Sequence, residues 1–311
     1  MLSIQSLRVD YDQVVAVKDF SLELKAGEIY GLVGPNGAGK TSLMKAIAGI
    51  LEPTYGDVSI AGYNTQLDRD QALKHLGYMP DFSPLYENLK VWEYMDVFGA
   101  AYLMSQQDRQ QKLKYWLERL DLMGKYDEFI RNLSRGMQQR LVLAKTLLSD
   151  PKVLVLDEPA SGLDPIARVG MRNVLEEVSA LGKTIIISSH VLSELSEFCT
   201  SIGIMEKGKL VVSGSMDEIR SKTGSQTKIL IKLFKSEQSP DLIQTLTNFN
   251  LTTHPSPEDP SVLAVYFNGD EARAAELLKQ LTSQGFLMSE FKIQKENIED
   301  IFLKVGAKEA S

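Results

Sequence analysis

The sequence is poor in cysteine and contains no long apolar run. Cys199 is the single cysteine among 311 residues, which excludes an internal disulfide and indicates a reducing compartment. No stretch approaches the roughly 18 consecutive apolar residues of a membrane-spanning helix. Residues 1–5 lack a basic segment followed by an apolar core, so no secretory signal is expected. Any membrane-spanning part would therefore come from another polypeptide.

Positive charge is also in short supply. The chain has 34 Lys and Arg against 41 Asp and Glu, a net charge of −7, and its pI is near 5.2. Proteins that bind nucleic acid usually present a basic surface, so no nucleic-acid partner is expected. The apolar fraction of 43% is ordinary for a globular protein. A chain of this length predicts about two domains.

The pattern of strands and helices changes character near residue 222. Before it, short apolar strands such as Ile29–Val33, Val153–Leu156 and Thr184–Ile187 alternate with helices, which predicts a parallel α/β core. A helical block is predicted at about 84–149. We place the domains at 1–222 and 225–311, joined by a polar linker.

The C-terminal domain shows the order β-α-β-β-α-β, which predicts a small α+β fold of the ferredoxin-like type. The first and last strands of this domain are expected at Lys228–Phe234 and Phe286–Gln294, and its helices at Leu242–Phe249 and Glu271–Gln284. A last helix is predicted over Ile298–Val305.

A glycine-rich loop follows the strand Ile29–Val33 and indicates phosphate binding. It fits the pattern G-x-x-x-x-G-K-[ST] with Gly34, Pro35, Asn36, Gly37, Ala38, Gly39, Lys40 and Thr41. A strand before the loop and a helix after it are the context in which backbone N–H groups surround a phosphate. The pattern predicts that Lys40 binds the β- and γ-phosphates and that the Thr41 hydroxyl ligates Mg²⁺. A chance match is the alternative, and the flanking elements disfavour it.

Three polar residues follow the next buried strands. Asp157, at the end of Val153–Leu156, is placed to hold the Mg²⁺ of a nucleotide. Glu158 comes directly after it, and at a strand end its side chain can turn toward the γ-phosphate. His190 follows Thr184–Ile187, at the edge where ligands gather in open α/β sheets. A carboxylate or a lone histidine is common in such folds. The functional interpretation of these three residues therefore depends on the presence of the phosphate loop.

The segment Leu133–Arg140 reads Leu-Ser-Arg-Gly-Met-Gln-Gln-Arg and lies between the phosphate loop and Asp157. In this position it resembles the Leu-Ser-Gly-Gly-Gln signature of the nucleotide-binding subunits of ATP-binding cassette (ABC) transporters. The resemblance covers roughly residues 1–220, with the motifs in the family's order. It implies a P-loop NTPase cassette with a parallel-sheet core, an antiparallel β subdomain and a helical insertion.

The family binds ATP between two cassettes, and the resemblance assigns residues to both sides. Tyr11 resembles the aromatic residue that stacks on adenine, and Ser42 resembles the donor to the α-phosphate. Glu158 is similar to the glutamate that polarises the attacking water, and His190 to the switch histidine. Contacts with the ATP of the second cassette are implied for Ser134, Arg135, Gly136, Met137, Gln138 and Asp164. Arg135 replaces the family's usual Gly, and Met137 displaces the Gln by one position.

Asp81 departs from the family pattern, because the corresponding Q-loop normally ends in Gln. A carboxylate is a hard ligand, so our hypothesis is that Asp81 ligates Mg²⁺ directly or through water. The aromatic-rich run after it covers too wide an arc for one buried face. The family cradles a short helix of the membrane subunit here, and Trp92 or Tyr94 is expected in that groove.

The resemblance implies an ATPase subunit that uses ATP and Mg²⁺ and powers a separate membrane permease through ATP-driven dimerisation of two cassettes. Its expected place is the cytoplasmic face of the membrane. The C-terminal domain and Asn297–Phe302 resemble cassettes of multidrug, antibiotic, lipid or polysaccharide exporters, so export is expected. The alternatives are a soluble ABC ATPase acting on ribosomes or DNA and an importer subunit. A homodimer and a heterodimer with a paralogue both agree with the sequence.

Overall fold

A computed structural model of the protein describes residues 1–215, 218–219, 227–234, 236–249, 251–255, 262–267 and 271–294. The chain divides into two compact units, residues 1–219 and residues 220–311. Of the predicted linker Ser221–Thr227, only Thr227 is among the described residues. The predicted helix Ile298–Val305 and the segment Asn297–Phe302 lie outside them.

Two sheets build the first unit. The antiparallel sheet contains β1 (Leu2–Tyr11), β2 (Val14–Leu24), β4 (Tyr55–Ile60) and β5 (Tyr63–Asn64), in the order β2-β1-β4-β5. The central sheet contains β3 (Ile29–Val33), β6 (Leu76–Met79), β7 (Val153–Leu156), β8 (Thr184–Ser189), β9 (Ser201–Glu206) and β10 (Lys209–Gly214). Its order is β10-β9-β3-β8-β7-β6, and every neighbouring pair except β10 and β9 is parallel. The predicted parallel core is confirmed.

The helices of the first unit connect and cover these sheets. They are α1 (Lys40–Ile47), α2 (Arg69–Lys74), α3 (Val91–Ala101), α4 (Gln106–Arg119), α5 (Arg135–Leu148), α6 (Pro165–Ala180) and α7 (Leu192–Ser196). The helical block between β6 and β7 is formed by α3, α4 and α5. In the described part of the chain, no helix combines the length and the apolar character needed to cross a membrane.

Polar caps set where two functional helices begin. The Ser134 hydroxyl accepts the N–H of Met137 at 3.3 Å, so α5 starts at the residue after Ser134. At α6, Asp164 Oδ1 accepts the N–H of Ala167 at 2.8 Å, and Pro165 occupies the first helical position. Both starts agree with the sequence pattern.

The core of the first unit joins α1 to both sheets. Buried residues from the antiparallel sheet, α1 and the central sheet form one cluster that includes Leu7, Phe20, Tyr30, Leu43, Ile47, Val155 and Ile186. The loop that precedes α1 is therefore anchored on three sides by apolar packing.

The second unit is a four-stranded sheet with two helices. Its elements are β11 (Thr227–Leu233), α8 (Ser239–Asn248), β12 (Thr252–Pro255), β13 (Val262–Phe267), α9 (Glu271–Ser283) and β14 (Met288–Gln294). The order β12-β13-β11-β14 is antiparallel throughout. This arrangement confirms the ferredoxin-like fold. The unit has its own core, which includes Ile229, Ile231, Leu242, Val265 and Leu281.

Candidate active site

Two glycines shape the loop between β3 and α1. Gly39 has a φ of 102°, and a Cβ placed there would lie 2.1 Å from the carbonyl oxygen of Ala16. At Gly34, a Cβ would lie 2.2 Å from the carbonyl oxygen of Met205. Neither position admits a side chain, so the backbone itself forms the wall of a concavity.

That loop lines an open pocket of about 640 Å³. The pocket brings together most of the residues that the sequence assigns to one nucleotide: Tyr11, Asn36, Gly37, Ala38, Gly39, Lys40, Thr41, Ser42, Asp81, Glu158 and His190. Lys40 Nζ donates to the carbonyl oxygens of the other two loop residues, Gly34 at 2.7 Å and Pro35 at 3.3 Å. Five separate segments of the first unit thus meet at one cavity.

Lys40 supplies the positive charge at the base of the pocket. Its side chain is buried, and Nζ lies 3.8 Å from Glu158 Oε1. Burial lowers the pKa of Lys40, and the negative charges of Glu158 and Asp157 act in the opposite direction. The ammonium group of Lys40 therefore lies near the carboxylates of Asp157 and Glu158, which follow β7.

Asp157 has one satisfied and one unsatisfied oxygen. The residue is 1% exposed, and its Oδ1 accepts the Ser188 hydroxyl at 2.6 Å. Its Oδ2 is buried and has no hydrogen-bond partner in the described part of the chain. An unpaired buried carboxylate oxygen is costly unless a cation compensates it. This oxygen therefore fits a metal ligand.

The other two predicted Mg²⁺ ligands lie at this pocket. Thr41 and Asp81 both line the pocket. Within the described residues, no group of three or more His, Cys, Asp and Glu could hold a metal ion. Mg²⁺ is commonly bound by one or two protein oxygens, substrate phosphates and water, which suits this donor set.

Glu158 and His190 contact each other directly. His190 Nδ1 lies 2.9 Å from Glu158 Oε2. The backbone N–H of Glu158 donates to the Ser188 hydroxyl at 2.9 Å, so this hydroxyl joins the two carboxylate residues. Glu158 has a φ of 49°, a left-handed conformation that turns the chain sharply after β7. That turn brings the Glu158 side chain to the same pocket as Lys40.

Asp81 lies in the same electrostatic field. Partial desolvation, together with the negative charges of Asp157 and Glu158, raises the pKa of Asp81 above its ordinary value. The Gln139 side chain, on α5, donates to the Asp81 carbonyl oxygen at 3.4 Å. Asp157 and Glu158 thus disfavour the ionised form of Asp81, whereas the positive charges of Arg135 and His190 lower its pKa.

The residues predicted to contact a second nucleotide lie elsewhere. In the described part of the chain, none of Ser134, Arg135, Gly136, Met137, Gln138 and Asp164 lines this pocket. Arg135 Nη2 lies 3.4 Å from the Ser161 hydroxyl. Gln138 Nε2 donates to the carbonyl oxygens of Ile130 and Leu133, both at 3.4 Å. Arg135 nevertheless comes close to this pocket, because Ser161 lines it.

The aromatic run after Asp81 is divided between core and surface. Tyr94 is 2% exposed, so it cannot present its side chain to a partner, and that half of the prediction is wrong. Trp92 stacks on Tyr126 with ring centroids 6.2 Å apart. Phe82, Tyr86 and Tyr102 are the exposed aromatic residues of the run, at 83%, 60% and 43%. Tyr94 is buried because its ring packs edge-on against Phe98 on the inner face of α3.

Sequence reasoning missed residues that reach the pocket through tertiary contacts. Ala16, Lys18, Lys207 and Gly208 line it. The N–H of Lys18 donates to the Gly208 carbonyl at 2.7 Å, and the N–H of Gly208 donates to the Ala38 carbonyl at 2.9 Å. No local pattern marks these residues. Ser188 was missed as well, because its contact with Asp157 depends on the pairing of Ile187 in β8 with Leu156 in β7.

Comparisons with known proteins agree with this arrangement. A family model described as ABC transporter matches residues 17–161. Nod factor export ATP-binding protein I of Burkholderia lata is 35% identical over 296 residues, which are 95% of this chain and 93% of that protein. The linearmycin resistance ATP-binding protein of Bacillus subtilis is 27% identical, over 98% of each chain.

Solved structures show the same fold. The ATP-binding subunit of an ABC transporter matches with a TM-score of 0.67 and 30% identity, over 72% of this chain and 93% of that one. An ATP-binding cassette solved as a dimer in a post-hydrolysis state, with ADP and phosphate bound, matches with a TM-score of 0.64. Its identity is 24%, over 70% of this chain and 99% of that one.

Proposed function

The chain belongs to the family of ABC transporter ATP-binding proteins, and from that premise we propose that it is the ATPase subunit of an exporter whose membrane-spanning permease is a separate polypeptide. The observation that carries the proposal is the single pocket in which the glycine loop, Lys40, Glu158 and His190 meet. Relatives that match nearly the whole chain carry export and resistance names, which supports export as the direction.

The residues of the pocket each have a role in ATP hydrolysis, as does Asp157, which is buried next to Glu158 and does not line the pocket. Backbone N–H groups of the loop and Lys40 hold the phosphates. Thr41, Asp157 and Asp81 would hold Mg²⁺, which supplies neutralising charge to the phosphate oxygens. Glu158 accepts a proton from the attacking water, and His190 holds the Glu158 carboxylate in place through the 2.9 Å contact. Tyr11 lies at the rim of the pocket, where it can stack on adenine.

A complete site requires a second cassette. Ser134 and its neighbours open α5, whose N-terminus is suited to bind phosphate, yet they do not line the pocket of their own chain in its described part. Two cassettes would therefore close on two ATP molecules, each bound by the loop of one chain and the signature segment of the other. Hydrolysis would reopen them. This cycle would take place on the cytoplasmic face of the membrane, where the permease holds the pair.

The exposed aromatic pair Phe82 and Tyr86 supports the permease contact. Phe82 directly follows Asp81 and Tyr86 lies five residues after it, so a helix docked on them would touch the segment that carries a proposed Mg²⁺ ligand. Exposed apolar groups of this size usually mark an interface. Such a contact would connect ATP hydrolysis to movement of the permease.

The test is to purify the tagged chain from membrane and soluble fractions of its native cells. The Glu158→Gln variant, supplied with ATP, holds the closed state for capture. A polytopic membrane protein in stoichiometric amount is the expected companion. The double variant Phe82→Ser/Tyr86→Ser should lose it, whereas Phe234→Ser, at an exposed aromatic residue of the other unit, should retain it. Recovery of ribosomal or nucleoid proteins with nothing from the membrane would overturn the proposal in favour of the soluble alternative.

A further inference from the structure

Two ion pairs connect α6 with α7. Arg168 Nη1 lies 2.9 Å from Glu194 Oε1, and one turn further along α6, Arg172 pairs with Glu197. The first helix follows the segment 161–164, and the second follows His190. The two pairs thus join the helix that follows a predicted dimer contact to the helix that follows a proposed active-site residue.

Within the described residues, only the first of these pairs is hydrogen-bonded both to the segment 161–164 and to a residue next to His190. Arg168 Nη2 donates to the carbonyl oxygen of Leu163 at 3.4 Å. On the other side, the Ser189 hydroxyl donates to Glu194 Oε2 at 3.3 Å and accepts the N–H of Val191 at 3.0 Å. Leu163 is therefore linked through two side chains to the residues on either side of His190.

The second pair has no such connection. In the described part of the chain, no hydrogen bond joins Arg172 or Glu197 to either loop, and Glu197 lies mostly in solvent. Arg172 Nε is buried without a partner. Each pair joins an Arg of α6 to a Glu in α7 or directly after it, so the outer pair is a matched control for the inner one.

The space behind Glu158 is lined by both ion pairs, but among the described residues only the inner pair is also hydrogen-bonded to the two loops. A cavity of about 200 Å³ lies there, lined among others by Glu158, Ser189, Glu194 and Phe198. Apolar packing therefore supports this side of the loop incompletely. Glu194 is partly buried, so its pairing with Arg168 is screened less than an ion pair on the open surface.

We propose that Glu194 is a positioning residue that couples the segment 161–164 to His190. A displacement of the Leu163 main chain moves the Arg168 guanidinium, and Glu194 transmits this movement to Ser189. His190 then approaches or leaves Glu158. Contact of the segment 161–164 with a second cassette would in this way set the orientation of the proposed base. The proposal rests on the roles proposed above for Glu158 and His190.

The first test compares inner and outer pairs in the full chain. Glu194→Ala and Arg168→Gln should lower kcat for ATP hydrolysis on the order of 10- to 100-fold, the scale expected when a catalytic group is misplaced by about 1 Å. The affinity for ATP should stay unchanged, because neither residue lines the pocket. Glu197→Ala and Arg172→Gln should leave kcat near that of the unaltered chain. Equal losses from both pairs would overturn the proposal.

A second test separates positioning from general loosening of the fold. In a His190→Ala background, Glu194→Ala should have almost no further effect, because Glu194 acts through His190. The same loss factor in both backgrounds would contradict the proposal. If Glu194→Ala fails to fold, Ser189→Ala removes the same link and takes its place in the comparison.

These outcomes remain distinct from failure of the proposed function. Absence of ATPase activity in the unaltered chain, or retention of it in Glu158→Gln, would refute the assigned roles themselves. Normal behaviour of those two proteins, together with equal effects at Glu194 and Glu197, would refute the coupling alone.

Discussion

At the scale of single residues, one hydroxyl organises the proposed site. Ser188 donates to Asp157 and accepts from the N–H of Glu158, so it holds a proposed metal ligand and a proposed base at a fixed separation. The site is therefore arranged by a buried hydrogen-bond network and not by the two carboxylates alone. The sequence predicted the carboxylates from their strand-end position. It did not reveal Ser188, since this depends on the register between β7 and β8.

Glu158→Gln tests the proposed base. The amide keeps the size of the side chain but cannot accept a proton from water, so turnover should fall by about 10²–10⁴-fold. ATP should bind as before, because Lys40 and the loop are untouched. Steady-state hydrolysis and ATP titration measure the two quantities separately. Turnover reduced by less than a factor of about ten would exclude a role as general base.

Asp81→Asn tests the proposed metal ligand through its charge. Since the pKa of Asp81 is raised, its ionised form is disfavoured in the folded protein. That penalty is present above the folded pKa and disappears as the pH falls below the ordinary value of 3.8. Without nucleotide and Mg²⁺, the variant should therefore melt at a higher temperature than the unaltered chain at neutral pH, with the difference shrinking in acid.

With Mg²⁺ and ATP present, the unaltered chain should melt at a higher temperature than Asp81→Asn. The variant lacks one proposed ligand, so it should gain less thermal stabilisation from the metal–nucleotide complex. Thermal melts with and without Mg²⁺ provide the comparison. An unchanged Mg²⁺ dependence of ATPase activity in Asp81→Asn would show that Asp81 does not ligate the metal.

At the scale of helices and strands, the local signals in the sequence predicted most of what the structure shows. The cap at Ser134, the Asp164-Pro165 start and the apolar runs of β3 and β7 depend on neighbours within a few residues. Tyr94 could not be placed that way, because its burial depends on how α3 packs. The same holds for Lys18 and Lys207, which meet only in the folded chain.

Asp164 has a structural role that can be separated from its proposed contact with a second cassette. Asp164→Ala removes the cap of α6 and should lower the free energy of unfolding by about 0.5–2 kcal/mol. Asp164→Asn keeps a capping oxygen and should retain most of that stability. Chemical denaturation measures this difference. Loss of ATP-driven dimerisation in Asp164→Asn, despite normal stability, would assign the carboxylate to the interface.

At the scale of the whole molecule, each of the two units has a hydrophobic core of its own. A fragment that ends at residue 219 should therefore fold and bind ATP as the full chain does. The full chain should unfold in two steps, since separate cores need not melt together. Calorimetry of the fragment and the full chain provides the measurement. A fragment that fails to fold would show that the second unit completes the first.

The left-handed backbone at Glu158 lowers the stability of the fold at a residue that is proposed to be needed for activity. An L-residue in that conformation costs about 1–2 kcal/mol, whereas glycine adopts it freely. Glu158→Gly should therefore raise the melting temperature while abolishing ATP turnover. Selection for heat resistance alone would replace this glutamate. The chain thus carries backbone strain at the residue that we propose to be its general base.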